Sequence, residues 1–299
     1  AEQSGIDLGR VRGTGPTGRI LKEDVDQAIA TRSSEFRVPS FEFGSRSVAP
    51  TQSREPGTEK QEPGTRNSEL GLDRVIPMRS MRKVIAERMR ASLQEMAQLT
   101  LSIEVLVDEA VKLRRQLVEE WADEGIKLSY TDLVIKATAK ALGRHPRLNA
   151  RVTAAGIELL AAVHIGMAVA LVDGLVVPVI RDADRLPLQQ IAAESGRLAD
   201  AARGGTLGLD EMSGGSFSVT TLGMYDVDFF TPIINPPNVA ILGIGRIHDQ
   251  TVWENERPLR RQAMTLSLTI DHRAVDGAPA AAFLQTVRDL LQSPYRLLV

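Results

Sequence analysis

The chain contains no cysteine among its 299 residues. That one absence removes disulfides, thiolate metal sites and a covalent cysteine nucleophile together. Histidine is scarce too. His145, His164, His248 and His272 are scattered, with no HxxxH or HExxH spacing to set two imidazoles on one helix face, so no metal is expected. A basic excess is also missing: the formal charge is -2, whereas a surface that neutralises phosphates needs cations, so no nucleic acid is expected. Long apolar runs are lacking. The stretch 157–172 is interrupted by Glu158, His164 and Gly166 and is too short to cross a bilayer, which excludes a membrane span. At the N-terminus there is no initiator Met, charged region or apolar region, so the chain is expected to begin inside a longer one.

What is present divides into three stretches. Hydrophobic residues make up 43% of the chain, enough for a large core. Residues 1–31 read as a compact unit with Ile6, Leu8, Val11, Ile20, Val25 and Ile29 as its core. Gly13, Gly15 and Gly18 follow no long buried strand, so they do not read as a dinucleotide loop. Residues 32–73 are rich in Ser, Pro, Gly, Thr, Glu and Arg, with Glu55–Thr58 echoed at Glu62–Thr65, and read as a flexible linker.

From residue 74 the pattern is dense. Ser80 is the expected cap of a helix to about Met96, followed by a strand at 99–105 and helices opening at Asp108 and Thr131. A strand-rich section covers 151–180, with Asp173-Gly174 as a hairpin turn. A helix over 187–203, strands at 216–222, 239–247 and 264–270, and a helix from 278 to 291 complete the order. This mixture of hairpins and helices predicts an α/β fold, a mixed sheet carrying helices.

The stretch Asp271–Gly277 sits where the strand ending at Ile270 gives way to a helix, and turns of that kind carry reactive side chains. A histidine there suits a reaction that needs a base near neutral pH. Transfer of an acyl group to a thiol is such a reaction, because a thiol is mostly protonated at pH 7. That chemistry also needs a donor for the oxyanion. Thr220 and Thr221, closing the strand at 216–222, both offer a hydroxyl.

Thr220 onward reads TTLGMYDVDFFTPIINPPNVAILGIG, and LTIDHRAVDG follows it. Together with PMRSMRKVIAERM, HPRLNAR, HIGMAVALVDGLVVPVIRDAD and SGGSFSV, this order resembles the catalytic domain of the dihydrolipoamide acyltransferases of 2-oxo acid dehydrogenase complexes, over residues 75–299. The run GIDL followed by GTGPTGRILKEDV resembles their peripheral subunit-binding domain, truncated at its start. The resemblance implies a chloramphenicol-acetyltransferase-like fold and trimers that assemble into a large core, with the active site between subunits. His272 would be the general base and Thr220, in the family's usual serine position, the oxyanion donor from the next chain, while Asp276 steadies the imidazole. The substrates implied are coenzyme A and a lipoyl group carried on a lipoyl domain that this chain does not contain. Arg19 and Lys22, within residues 1–31, would help dock a decarboxylase and a dihydrolipoamide dehydrogenase. Three residues depart from the family pattern: Glu2, where a basic residue is common, Gln98, expected to lie away from these motifs, and Asp226, expected to affect acyl preference. The competing expectation is a non-catalytic core or partner-binding subunit. The expected compartment is the bacterial cytoplasm, ahead of the mitochondrial matrix.

Overall fold

A computed structural model of the chain describes Ile20 and residues 75–171 and 174–299. The chain divides into two units, Ala1–Asp73 and Arg74–Val299. The expected linker, Arg19, Lys22 and Asp173 lie outside the described residues. Ile20, expected in a core, is 38% exposed.

The second unit opens with helix α1 (Ser80–Glu95), for which Arg79 rather than Ser80 holds the cap position. Strand β1 (Gln98–Leu106) and helix α2 (Asp108–Glu120) follow, and Leu113 and Leu117 bury α2's inner face. Helix α3 (Tyr130–Leu142) begins one residue earlier than expected and is capped by Ser129. The Ser129 hydroxyl accepts from the Asp132 amide while the Asp132 carboxylate accepts from the Ser129 amide. This reciprocal box satisfies two amides that a free helix end leaves bare, which Thr131 would not have done. All but three of α3's thirteen residues are buried, so it is the central helix of the layer.

Four short strands and a hairpin pair come next: β2 (Ala150–Thr153), β3 (Gly156–Leu159), β4 (Ile165–Met167), β5 (Val169–Leu171), β6 (Gly174–Val176) and β7 (Val179–Ile180). Leu171 stands opposite Gly174, the register of a tight hairpin. Helix α4 (Leu188–Arg203), β8 (Phe217–Thr221), β9 (Ala240–Glu254), β10 (Arg257–Asp271) and helix α5 (Gly277–Gln292) complete the chain.

One six-stranded sheet runs β1-β10-β9-β8-β4-β7. It is mixed: β8 runs parallel to both β9 and β4, and the other pairings are antiparallel. Helix α5 packs on β1 and β10, and Phe283 from it meets Phe217 of β8 with ring centroids 5.8 Å apart. Strands β9 and β10 are each 15 residues long, well beyond the expected 239–247 and 264–270. The apolar alternation stops at Ile247 because the far half of this hairpin is solvated and held by polar pairs, Arg260 with Asp249 and Arg261 with Glu254. Near its other half, Gly245 lets the segment after β8 cross the sheet: a Cβ there would fall 1.8 Å from the Asp228 carbonyl oxygen.

Candidate active site

Strand β10 ends at the fully buried Asp271, and the chain turns at once, with the amides of Ala274 and Val275 donating to the Asp271 carbonyl at 2.9 and 3.1 Å. Arg273 folds back onto the buried carboxylate. Its Nε lies 3.0 Å from both oxygens, Nη2 is 2.7 Å from Oδ2, and its amide donates to Oδ1 at 3.1 Å. These hydrogen bonds hold the guanidinium pKa above its ordinary value. A buried acid without such a partner would be expensive, so Arg273 fixes the turn.

His272 is the residue that this bracket leaves outside. Its amide donates to the Ala97 carbonyl at 2.8 Å, which ties it to the start of β1, and its side chain is 45% exposed. Nδ1 stands 3.6 Å from Oδ1 of Asp276. No helix connects the two residues: Asp276 is extended and occupies the cap position of α5, but its carboxylate caps no amide and is free to face the imidazole. Gln98, expected to lie apart, is next to this turn. It pairs with Asp271 across β1 and β10, because β1 is the edge strand that runs alongside the end of β10.

Thr220 is elsewhere. It stands opposite Gly243 on β9, which stands opposite Ser267 on β10, five residues before His272. At strand spacing the two residues are about 16 Å apart along the sheet and about 10 Å across it, roughly 19 Å in all. One chain therefore does not bring His272 and Thr220 together. Thr220 lines a cavity of about 690 Å³ together with Met167, Ala168, Met224 and Tyr225, and His272 is not among its lining residues. Thr221 lines it too, but its hydroxyl donates to the Ile244 carbonyl and accepts from the Gly223 amide, both at 3.4 Å. Among the described residues the Thr220 hydroxyl has no hydrogen-bond partner.

At the cavity's edge Asp132 accepts from the Ser195 hydroxyl at 2.5 Å, and its burial pushes the carboxyl pKa up against the hydrogen bonds from Ser195 and Ser129. Sequence reading missed this pair, although the S-x-x-D spacing at 129–132 was a usable signal for its first half. His164 is structural, its Nδ1 accepting from the Asp182 amide at 3.0 Å. Among the described residues no cluster of three His, Asp or Glu side chains is arranged to hold a metal.

Two family profiles match the chain. One, described as 2-oxoacid dehydrogenases acyltransferase (catalytic domain), matches residues 71–299, and the other, described as e3 binding domain, matches residues 1–26. The acetyltransferase component of the acetoin cleaving system of Bacillus subtilis is 41% identical over all of this chain and 68% of its own length. The succinyltransferase component of the 2-oxoglutarate dehydrogenase complex of the same organism is 35% identical over the same shares. Among solved structures, the dihydrolipoamide acetyltransferase of Azotobacter vinelandii superposes with a TM-score of 0.76 at 34% identity, covering 80% of this chain and 99% of that one. The mixed sheet with helices expected from the sequence is thus the fold observed, and the chain belongs to the 2-oxoacid dehydrogenase acyltransferase family, in which a dihydrolipoamide acyltransferase catalytic domain follows an e3 binding domain.

Proposed function

We propose that this chain transfers an acyl group between coenzyme A and a dihydrolipoyl thiol, with His272 of one subunit acting opposite Thr220 of its neighbour. One observation carries the residue roles. The study of the Azotobacter enzyme concerns the catalytic parts played by a serine, a histidine and an asparagine, the serine 52 positions before the histidine and the asparagine four after it. Thr220, His272 and Asp276 keep both intervals, with a hydroxyl in the serine's place. The separation of His272 from Thr220 within one chain supports an assembled site, which a trimer supplies by repeating one contact around an axis.

In that site Nε2 of His272 takes the proton of the attacking thiol as its sulfur bonds to the thioester carbonyl carbon. The Thr220 hydroxyl donates to the carbonyl oxygen while it carries the negative charge of the tetrahedral intermediate. As the intermediate collapses, the carbon–sulfur bond to the first thiol breaks and His272 returns the proton to the departing sulfur, so atoms and charge balance. Asp276, beside Nδ1, holds the ring in the tautomer that leaves Nε2 free. Residues 1–31, including Arg19 and Lys22, serve as the docking unit for the decarboxylase and dihydrolipoamide dehydrogenase, residues 32–73 as the tether, and residues 74–299 as the catalytic core.

The test is release of free thiol from an acyl-CoA in the presence of dihydrolipoamide. The wild type is expected to turn over, and His272→Ala to lose at least about 10²-fold while still assembling. Turnover that His272→Ala leaves near normal contradicts the base assignment. A wild type that assembles without any turnover favours the second reading, a non-catalytic core subunit.

A further inference from the structure

Three residues after Thr220 the chain makes a short 3-10 turn, Gly223–Tyr225, that ends at Asp226 with φ of 63°. Aspartate tolerates this left-handed conformation better than most residues, but it persists where the surroundings enforce it. Here the enforcing residue is Arg246 on β9. Its Nη1 donates to Asp226 at 2.6 Å, its Nε donates to Asp228, and its amide donates to the Val227 carbonyl at 2.8 Å. Three consecutive residues are thereby fastened to one arginine. On the outer side of the same turn stand Met224 and Tyr225, 71% and 62% exposed, and both line the cavity of Thr220.

Nε and Nη1 of Arg246 are each engaged by an acid, and the two acids leave the cluster with a net charge of -1. Its contribution is therefore geometric and electrostatic at once. The clamp fixes an apolar wall of thioether and phenol beside the hydroxyl, and it repels a second carboxylate brought there.

We propose that Arg246, acting through Asp226 and Asp228, is a positioning residue that sets the Met224–Tyr225 wall and so selects short uncharged acyl groups over dicarboxylic ones. This rests on the acyl-transfer reading above and adds the substrate class to it. Packing differences of one or two methylenes against such a wall change kcat/KM by about 10-fold or more, so a displaced wall alters selectivity before it alters chemistry.

The test measures kcat and KM for acetyl-, isobutyryl- and succinyl-CoA on the wild type, Arg246→Gln, Arg246→Lys and Asp226→Gly. The wild type is expected to favour the uncharged donors. Arg246→Gln should raise KM for the preferred donor about 10-fold and change the isobutyryl-to-acetyl ratio of kcat/KM by at least about 5-fold, with kcat for acetyl-CoA within about twofold. Arg246→Lys should recover part of the ratio. Asp226→Gly, which suits the backbone angle and removes one arm of the clamp, should move the ratio in the same direction, and it decides alone if Arg246→Gln does not fold. A merely structural role lowers all donors alike. Ratios unchanged in an active protein, or a wild type that prefers succinyl-CoA, overturn the proposal. A wild type that transfers no acyl group overturns the acyl-transfer reading, and this proposal with it.

Discussion

Arg273 closes its guanidinium on the carboxylate of Asp271, two residues earlier, and Asp271 is fully buried while Arg273 keeps 43% of its side chain in solvent. The pair is the anchor of the turn that presents His272. Replacing Arg273 with Met leaves an uncompensated buried charge. The expected loss of stability is about 2 to 4 kcal/mol, below that of a fully buried pair because the guanidinium is partly hydrated. Denaturant unfolding of the assembled protein measures it, and activity should fall along with stability because the turn loses its bracket.

The two threonines at the end of β8 separate cleanly. Thr220→Ala removes the free hydroxyl and is expected to lower kcat by roughly 10² to 10³, with Thr220→Ser close to the wild type. Thr221→Ala removes its hydrogen bonds to Ile244 and Gly223, so it should shift stability and leave kcat within about 10-fold. Steady-state kinetics on the three variants distinguishes the assignments.

The pH dependence of stability has a testable sign at His145. Burial, aided by the nearby Arg144 charge, lowers its pKa below the ordinary imidazole value, and its Nε2 lies 2.9 Å from the Thr286 hydroxyl. A depressed folded-state pKa means that the folded protein binds this proton less readily than the unfolded chain. Its contribution is therefore fully present above about pH 6.5 and is lost as pH falls from there toward the folded value. Urea midpoints measured from about pH 7.5 down to about pH 5 should fall less steeply for His145→Gln than for the wild type.

Much of this was legible in the sequence, for reasons that differ by residue. The His272 turn was readable because everything that builds it is contiguous: an apolar strand, an Asp-His-Arg turn and an Ala-rich helix. Helix α4 and strand β8 were found within a residue or two because their hydrophobic periods end sharply. The far half of the β9–β10 hairpin was not, since its side chains face water and carry no apolar alternation. Gln98 was misplaced because only strand pairing sets it beside Asp271. The Arg246 clamp was hidden for the same reason, its two acids lying 18 and 20 residues away along the chain.

The claim that His272 and Thr220 work across a subunit boundary is tested most directly by mixing His272→Ala chains with Thr220→Ala chains, dissociating and reassembling them in equal amounts. Each variant alone should be nearly inactive. In the mixture about a quarter of the subunit contacts join an intact histidine to an intact threonine, so about a quarter of wild-type activity should return. Activity no higher than the average of the two parents would contradict a site shared between subunits.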